Sequence, residues 1–314
     1  MLANSEEMED VGCYYCGSSC AEHFTDAWED LTGKPGTFRF VKCSTCDLVY
    51  QNPRVAIDHI RRYYDDEYIA HRGKTDWGII TPLYNWAMEG YDRRKTALVA
   101  RYVDPVSTHD VLDVGCGAGT FLTHWRRKYG SRVTGVDFVD LSHLSSFREV
   151  DFRCGLFYEQ DLDESAYDVV TMWHFLEHDY DPLQTLHTAA RVIRPGGRVI
   201  IEVPRLDSVS YRLFRERWPG LQAPQHTVLY DRMTLIAMAE KAGLRVLSHL
   251  PYGAFPPYFY LFAGVAFKIL KGKGLNLSKA IYPYFLGQFL LSPILLFSRY
   301  LNLAMQTVVC ERKT

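Results

Sequence analysis

The chain has 314 residues, 47% of them apolar and 23% charged, with a formal net charge of −2. That length suits roughly two domains, and the apolar share is ample for a buried core. The near-neutral balance excludes a chain drawn to nucleic acid by an overall positive field. The acidic opening MLANSEEMEDVGC has no apolar stretch and does not read as a secretory signal, which predicts a cytoplasmic, reducing setting.

Of eight cysteines, four form two C-x-x-C pairs: Cys13/Cys16 in CYYCGSSC and Cys43/Cys46 in KCSTCDLVY. Two thiolates three positions apart on a tight turn bind one face of a tetrahedral ion, and a second such turn closes the site. Gly17 follows the first pair, where the turn needs a permissive residue. Thr37 to Lys42 alternates like a strand leading into the second pair. The 26 residues between Cys16 and Cys43 exceed the commonest ribbon spacing, which a hairpin with a longer loop absorbs. The expectation is a structural Zn2+ held by Cys13, Cys16, Cys43 and Cys46 within residues 1–60. A redox pair or two unrelated turns are the alternatives, and Cys20 is a bystander. Four sulfur ligands leave no open coordination position, so this ion holds structure and performs no catalysis.

NPRVAIDHIRRYYDDEY then has helical spacing, with Ile57, Ile60, Tyr63 and Tyr64 on one face, and Thr81 to Val103 is also helix-compatible. Residues 61–105 therefore read as a helical connector. Its aromatics Tyr84, Trp86 and Tyr91 fit core packing first and a cover for a site mouth second.

The stretch VLDVGCGAGTF, Val111 to Phe121, reads as a strand, a glycine turn and a helix start. Gly115, Gly117 and Gly119 alternate, letting the backbone turn sharply and approach a ligand. A dinucleotide turn needs its third small residue at position 120, which is Thr120 here, and a phosphate loop needs a lysine that the turn lacks. Arg132 to Asp137 is a second strand ending in an acid, 22 residues beyond Gly115, where a carboxylate accepts both ribose hydroxyls of a nucleotide. Tyr167 to His174 is a third apolar strand, followed by FLEHDYDP, and Arg194 to Pro204 gives a turn and another strand.

The pattern D-x-G-x-G-x-G resembles the first motif of class I S-adenosylmethionine-dependent methyltransferases. VLDVGCGAG, YDVVTMWHFLEH and RPGGRVIIEVP stand in that family's order and spacing. The form is similar to the ubiquinone-biosynthesis-like branch, and the ribbon followed by DLVYQNPR resembles the zinc-binding head of some bacterial sugar C-methyltransferases. The resemblance implies an α/β, Rossmann-like sheet, mostly parallel with an antiparallel last strand, over residues 106–250 and 305–314. It implies S-adenosylmethionine as cofactor, S-adenosylhomocysteine as product, and contacts from Asp113, Gly115, Cys116, Gly117, Gly119, Asp137, Phe138, Leu156, Phe157 and Trp173. The family departs here in one place: FRCGLFYEQDLDE has Leu156 and Phe157 where many members carry an acid for the adenine amino group. Either Phe157 stacks on adenine, or Glu159 or Asp161 substitutes.

Methyl transfer from a sulfonium is an in-line displacement, so positioning supplies much of the rate. The sulfonium loses its charge in the transition state, so a carboxylate against it favours the ground state. Aromatic faces hold it more gently, and Trp173 is placed for that. A hydroxyl or acidic carbon acceptor needs a base, and histidine suits neutral pH. His226, in WPGLQAPQHTVLYD, is the first candidate and His174 the second, while His178 reads as structural. For each histidine the competing reading is a satisfied structural hydrogen bond.

Gly243 to Leu250 and Gln306 to Glu311 read as the last two strands, with more than fifty residues between them. This insertion, 251–304, has two apolar arms around KILKGKGLNLSK. Pro256, Pro257, Pro283 and Pro293 interrupt the arms, so neither is a comfortable transmembrane helix. It reads either as a hairpin at a membrane surface, with its lysines toward anionic head groups, or as a buried pair covering the acceptor pocket or forming a homodimer interface. The acceptor is a small molecule, apolar or lipid-linked in the first case and a sugar or nucleotide sugar in a soluble rival. A ribbon-bearing scaffold without catalysis is the rival from another class.

Overall fold

The computed structural model describes residues 7–64, 81–104, 109–275, 277–295 and 297–313. The connector is therefore described only in part. A short strand β1 (Met8–Glu9) precedes β2 (Ala21–Trp28), β3 (Thr37–Cys43), β4 (Val49–Gln51) and β5 (Arg54–Val55), then the one-turn helix α1 (Ile57–Ile60). Helix α2 (Thr81–Val99) leads to the alternating part: β6 (Asp110–Val114), α3 (Thr120–Tyr129), β7 (Arg132–Asp137), β8 (Asp151–Cys154), β9 (Tyr167–Trp173), α4 (Pro182–Val192) and β10 (Ile193–Pro204). After it come α5 (Val209–Phe214), β11 (Val228–Leu229), α6 (Arg232–Lys241), β12 (Leu244–Leu250), α7 (Pro257–Leu270), α8 (Leu277–Leu295) and β13 (Met305–Arg312).

Seven strands form one sheet in the order β12-β13-β10-β9-β6-β7-β8. β10, β9, β6, β7 and β8 pair in parallel, and β13 runs against both β10 and β12. The near-continuous apolar runs of β6 and β9 follow from this, because a parallel sheet is covered on both faces. Val111, Val169, Ile200 and Val309 meet Phe121, Leu122 and Trp125 of α3 on one face. Leu112, Val170, Ile201 and Val308 meet Leu186 of α4 and Leu235 and Met238 of α6 on the other. Each such side chain contributes about 1.5–3 kcal/mol on leaving water. The expected sheet, with its antiparallel last strand, is the observed one.

The ribbon is less separate than its sequence suggests. Its sheet has the order β11-β4-β3-β2, so β11, from beyond residue 200, is its fourth strand. Buried Gln51 fastens this join, with Nε2 donating to the carbonyls of Pro224 (3.2 Å) and His226 (2.7 Å). Cys13, Val41 and Tyr50 belong to the same core as Leu112 and Val170, while Phe38 and Phe40 pack with Phe214, Trp218 and Tyr260.

In the insertion, α7 and α8 pack on each other, and α7 packs on α5. The turn between α7 and α8 leans on the ribbon, where Leu275 N–H donates to Leu31 O at 2.8 Å. Among the described residues no helix is long and apolar enough to cross a membrane.

Removing the Gln51 donor should loosen the ribbon from the sheet. Gln51→Leu leaves two buried carbonyls short of a donor, and a loss of about 1–3 kcal/mol in urea unfolding is expected. An unchanged midpoint would mean that the ribbon is held by packing alone.

Candidate functional site

The carboxyl ends of β6, β7, β9 and β10 lie along one edge of the parallel strands, where open α/β sheets place ligands. The glycine turn leaves β6 there. Gly115, Gly117 and Gly119 have φ of +70°, +49° and +69°, a region in which a side chain is strained. A Cβ on Gly115 would lie 2.4 Å from the Phe175 ring, so glycine also permits a close approach from the far end of β9. Gly115 N–H donates to Val136 O at 2.8 Å, tying the turn to β7. Asp137, buried at the end of β7, accepts from Gly117 N–H at 2.9 Å on Oδ2 and from Val139 N–H at 3.1 Å on Oδ1. These bonds fix the direction of the carboxylate at the carboxyl edge of the sheet. The set thus fits a ribose diol. Cys116 is half-buried, its thiol pushed well up by burial and by Asp137.

Trp173 ends β9 on the face toward α2 and α3. Its ring is 5% exposed and meets Phe121 edge-on at 5.6 Å. A cation already stands over it: Lys95 Nζ of α2 lies 5.4 Å from the Trp173 ring and 4.2 Å from that of Tyr91. The aromatic face expected to hold a sulfonium is therefore shared with the chain's own ammonium group. Lys95 went unnoticed in the sequence because only the fold brings α2 over β9. Beside it, buried Asp113 accepts from Thr171 Oγ1 at 2.6 Å. Burial pushes its carboxyl up to about 7, with Lys95 opposing.

At the adenine position Phe157 is 2% exposed and packed in the core. Leu156 is half-buried beside it, and Phe138 is half-buried with its ring against Tyr64 at 5.0 Å.

The histidines occupy unlike settings. His226 is buried, and its Nδ1 donates to Gly220 O at 2.8 Å. Burial pushes it down to about 3, against the raising effect of that bond. A base so hard to protonate is poorly matched to neutral pH, which removes the ground for ranking His226 above His174. His178 Nδ1 pairs with Tyr64 OH at 2.9 Å. His174 keeps 22% of its side chain exposed, with Nε2 3.2 Å from Glu202 Oε1. Glu177 is buried with both carboxyl oxygens unpartnered by hydrogen bonds, and burial holds its carboxyl well up.

Two groups among the described residues have donor atoms within 4.8 Å of one another, close enough for an ion: Glu177, His178 and His226, and the four ribbon cysteines. In the ribbon, Cys13 and Cys46 Sγ are 3.4 Å apart, and Cys16 and Cys43 Sγ 3.5 Å. A tetrahedron with Zn–S bonds of about 2.3 Å has edges of about 3.8 Å, so the four sulfurs fit zinc. Burial raises the Cys43 thiol, but the N–H groups of Thr45 and Cys46 outweigh it and bring it to about 7.

Buried His226 has a consequence for stability. Its ordinary value is 6.5, so below that pH the unfolded chain takes up a proton that the folded chain refuses until about pH 3. Its contribution is full above about 6.5 and is lost as pH falls, by at most ~1.4 kcal/mol per unit. In His226→Asn, stability in urea should fall less steeply between pH 6.5 and 4 than in the parent. Equal slopes would assign the acid sensitivity elsewhere.

A family model described as a methyltransferase domain matches residues 88–249. The ubiquinone biosynthesis O-methyltransferase of Hydrogenovibrio crunogenus is 31% identical over 153 residues, covering 44% of this chain and 63% of that protein. A probable S-adenosylmethionine-dependent methyltransferase of Mycolicibacterium smegmatis is 29% identical over 160 residues, covering 49% and 59%. The chain thus spans less than two thirds of the length of these relatives. Among solved structures, the 1,6-didemethyltoxoflavin-N1-methyltransferase of Burkholderia thailandensis superposes with a TM-score of 0.49 at 14% identity, over 88% of this chain and 96% of that one. By the family match, which spans half of its length, the chain belongs to the family of methyltransferase domains.

Proposed function

We propose that the chain transfers a methyl group from S-adenosylmethionine to a small acceptor, apolar or lipid-linked, at the carboxyl edge of the sheet. The observation that carries this is the Asp137 carboxylate, buried at the carboxyl end of β7 and aimed by Gly117 N–H of the glycine turn, the place at which doubly wound nucleotide sites put a ribose-binding acid. The bound cofactor supplies an electrophilic methyl on a sulfonium. The chain's part is to position it. The turn at Gly115, Cys116, Gly117 and Gly119 lies along the methionine part beside Asp113, and Leu156 and Phe138 wall the adenine. Tyr91 and Trp173, with Lys95 between them, close the reacting side. The ribbon cysteines hold a structural zinc that takes no part in the chemistry.

The apolar acceptor rests on the insertion. Between Glu240 and Glu311 the chain has no acidic residue, while Lys268, Lys271, Lys273, Lys279 and Arg299 fall within 251–304. Tyr282, Leu286, Phe289 and Leu290 of α8 recur at helical spacing and are 62–76% exposed. An apolar face on a segment whose own charges are all basic suits an anionic bilayer surface, each nearby cation adding about 1 kcal/mol.

S-adenosylhomocysteine should bind the protein in calorimetry, and Asp137→Ala should weaken it about 10- to 100-fold. No binding to the parent protein would leave the scaffold reading. The protein should float with phosphatidylglycerol vesicles and not with phosphatidylcholine vesicles. A Leu286→Ser/Phe289→Ser/Leu290→Ser variant should stay in the pellet. Equal flotation of both proteins would detach the insertion from the membrane, and a dimer lost in the variant would make it a subunit contact.

A further inference from the structure

Glu202 lies in β10 with its side chain fully buried. A carboxylate out of water must be met by donors, and three N–H groups reach it. Oε1 accepts from Phe255 N–H at 3.0 Å and His174 Nε2 at 3.2 Å. Oε2 accepts from Ala254 N–H at 2.6 Å, and Thr307 Oγ1 lies 3.4 Å from it, its single proton nearer to Tyr252 O at 3.0 Å. A Cβ on Gly253 would lie 2.4 Å from the Glu202 carboxyl carbon, so the segment after β12 can wrap this carboxylate only with glycine at that place.

His174 is attached to Glu202 twice, because its own N–H also donates to Glu202 O at 2.9 Å. Its φ is +55°, a left-handed conformation unusual for a residue with a side chain. The ring is packed at 4.8 Å against Phe255. With Nε2–H given to the carboxylate, the imidazole lone pair sits on Nδ1. The ring stands directly after Trp173 at the carboxyl edge of the sheet, partly open to solvent.

We propose that His174 and Glu202 form a base–carboxylate pair for the methyl transfer, with His174 Nδ1 receiving the acceptor's proton and Glu202 as its positioning residue. This rests on the methyltransferase reading above. The acceptor's X–H bond breaks with its electron pair forming X–CH3. The sulfur–methyl bond breaks with its pair left on sulfur, and the proton passes to Nδ1. Glu202 fixes the tautomer that leaves Nδ1 open and steadies the imidazolium that forms, as a carboxylate does behind a histidine base.

The charged and titratable groups around the pair come from several elements. Glu177, in the turn after β9, has Oε1 3.7 Å from His174 Nδ1, and burial pushes its carboxyl well up. Tyr91 and Arg94 of α2 act electrostatically with Glu202, and His226 is influenced by His174.

The test measures transfer of labelled methyl from S-adenosylmethionine into an organic extract of the source cells, across pH. His174→Gln keeps a donor for Glu202 and removes the base, and a loss of 10²- to 10⁴-fold in turnover is expected. Glu202→Gln should lower kcat about 10- to 100-fold with little change in KM. Both variants should bind S-adenosylhomocysteine as the parent does. Turnover retained within threefold in His174→Gln would overturn the proposal, and so would a Glu202→Gln loss carried by KM with kcat unchanged. Should Glu202→Gln fail to fold, His174→Gln alone decides. Failure of the parent protein to bind S-adenosylhomocysteine would sink the methyl-transfer reading instead.

Discussion

A carboxylate held out of water sets the terms for one whole side of this molecule. Glu202 is fully buried in β10, and removing any of its donors would leave a charge in a medium that cannot solvate it. The chain therefore bends at Gly253 so that Ala254 and Phe255 N–H reach it. That bend starts the insertion, and Arg94 Nε of α2 donates to Ala254 O at 2.7 Å on the same segment. The entry to the insertion, the cover helix α2 and the His174 ring are thus all referred to one buried charge.

Asp137 does the same on the neighbouring side with a different outcome. Its partners include backbone N–H groups of the glycine turn and of its own loop, so it orders the turn at the carboxyl edge. Between the two carboxylates, β6 and β9 supply buried Asp113 and Thr171, and α2 supplies Lys95 over the rings of Tyr91 and Trp173. Polar groups meet at this edge because the strands end there. Farther down, the same strands are apolar on both faces.

Much of this was legible in the residues. Strand runs such as DVLDV and YDVVTMW carry their buried character in order, the glycine turn carries its φ values, and the paired C-x-x-C turns carry a ligand set. All of these are local patterns. What escaped the sequence is pairing across distance. Nothing near Val228 announces a strand of the ribbon sheet, and nothing in PYGAF announces a wrap around Glu202. Lys95 reads as one helix cation among several until α2 is laid over Trp173. The burial of Phe157 and the bond from His226 Nδ1 to Gly220 O likewise belong to the fold and not to the local sequence. Burial is the quantity that sequence patterns of isolated polar residues do not contain.

The central claim is methyl transfer to an apolar acceptor. It is tested most directly by incubating the intact protein with S-adenosylmethionine labelled on its methyl group and an extract of the source cells, then partitioning the products between organic solvent and water. Protein-dependent label in the organic phase is the predicted result. Label confined to the aqueous phase would contradict the apolar acceptor, and label in neither phase would contradict methyl transfer itself.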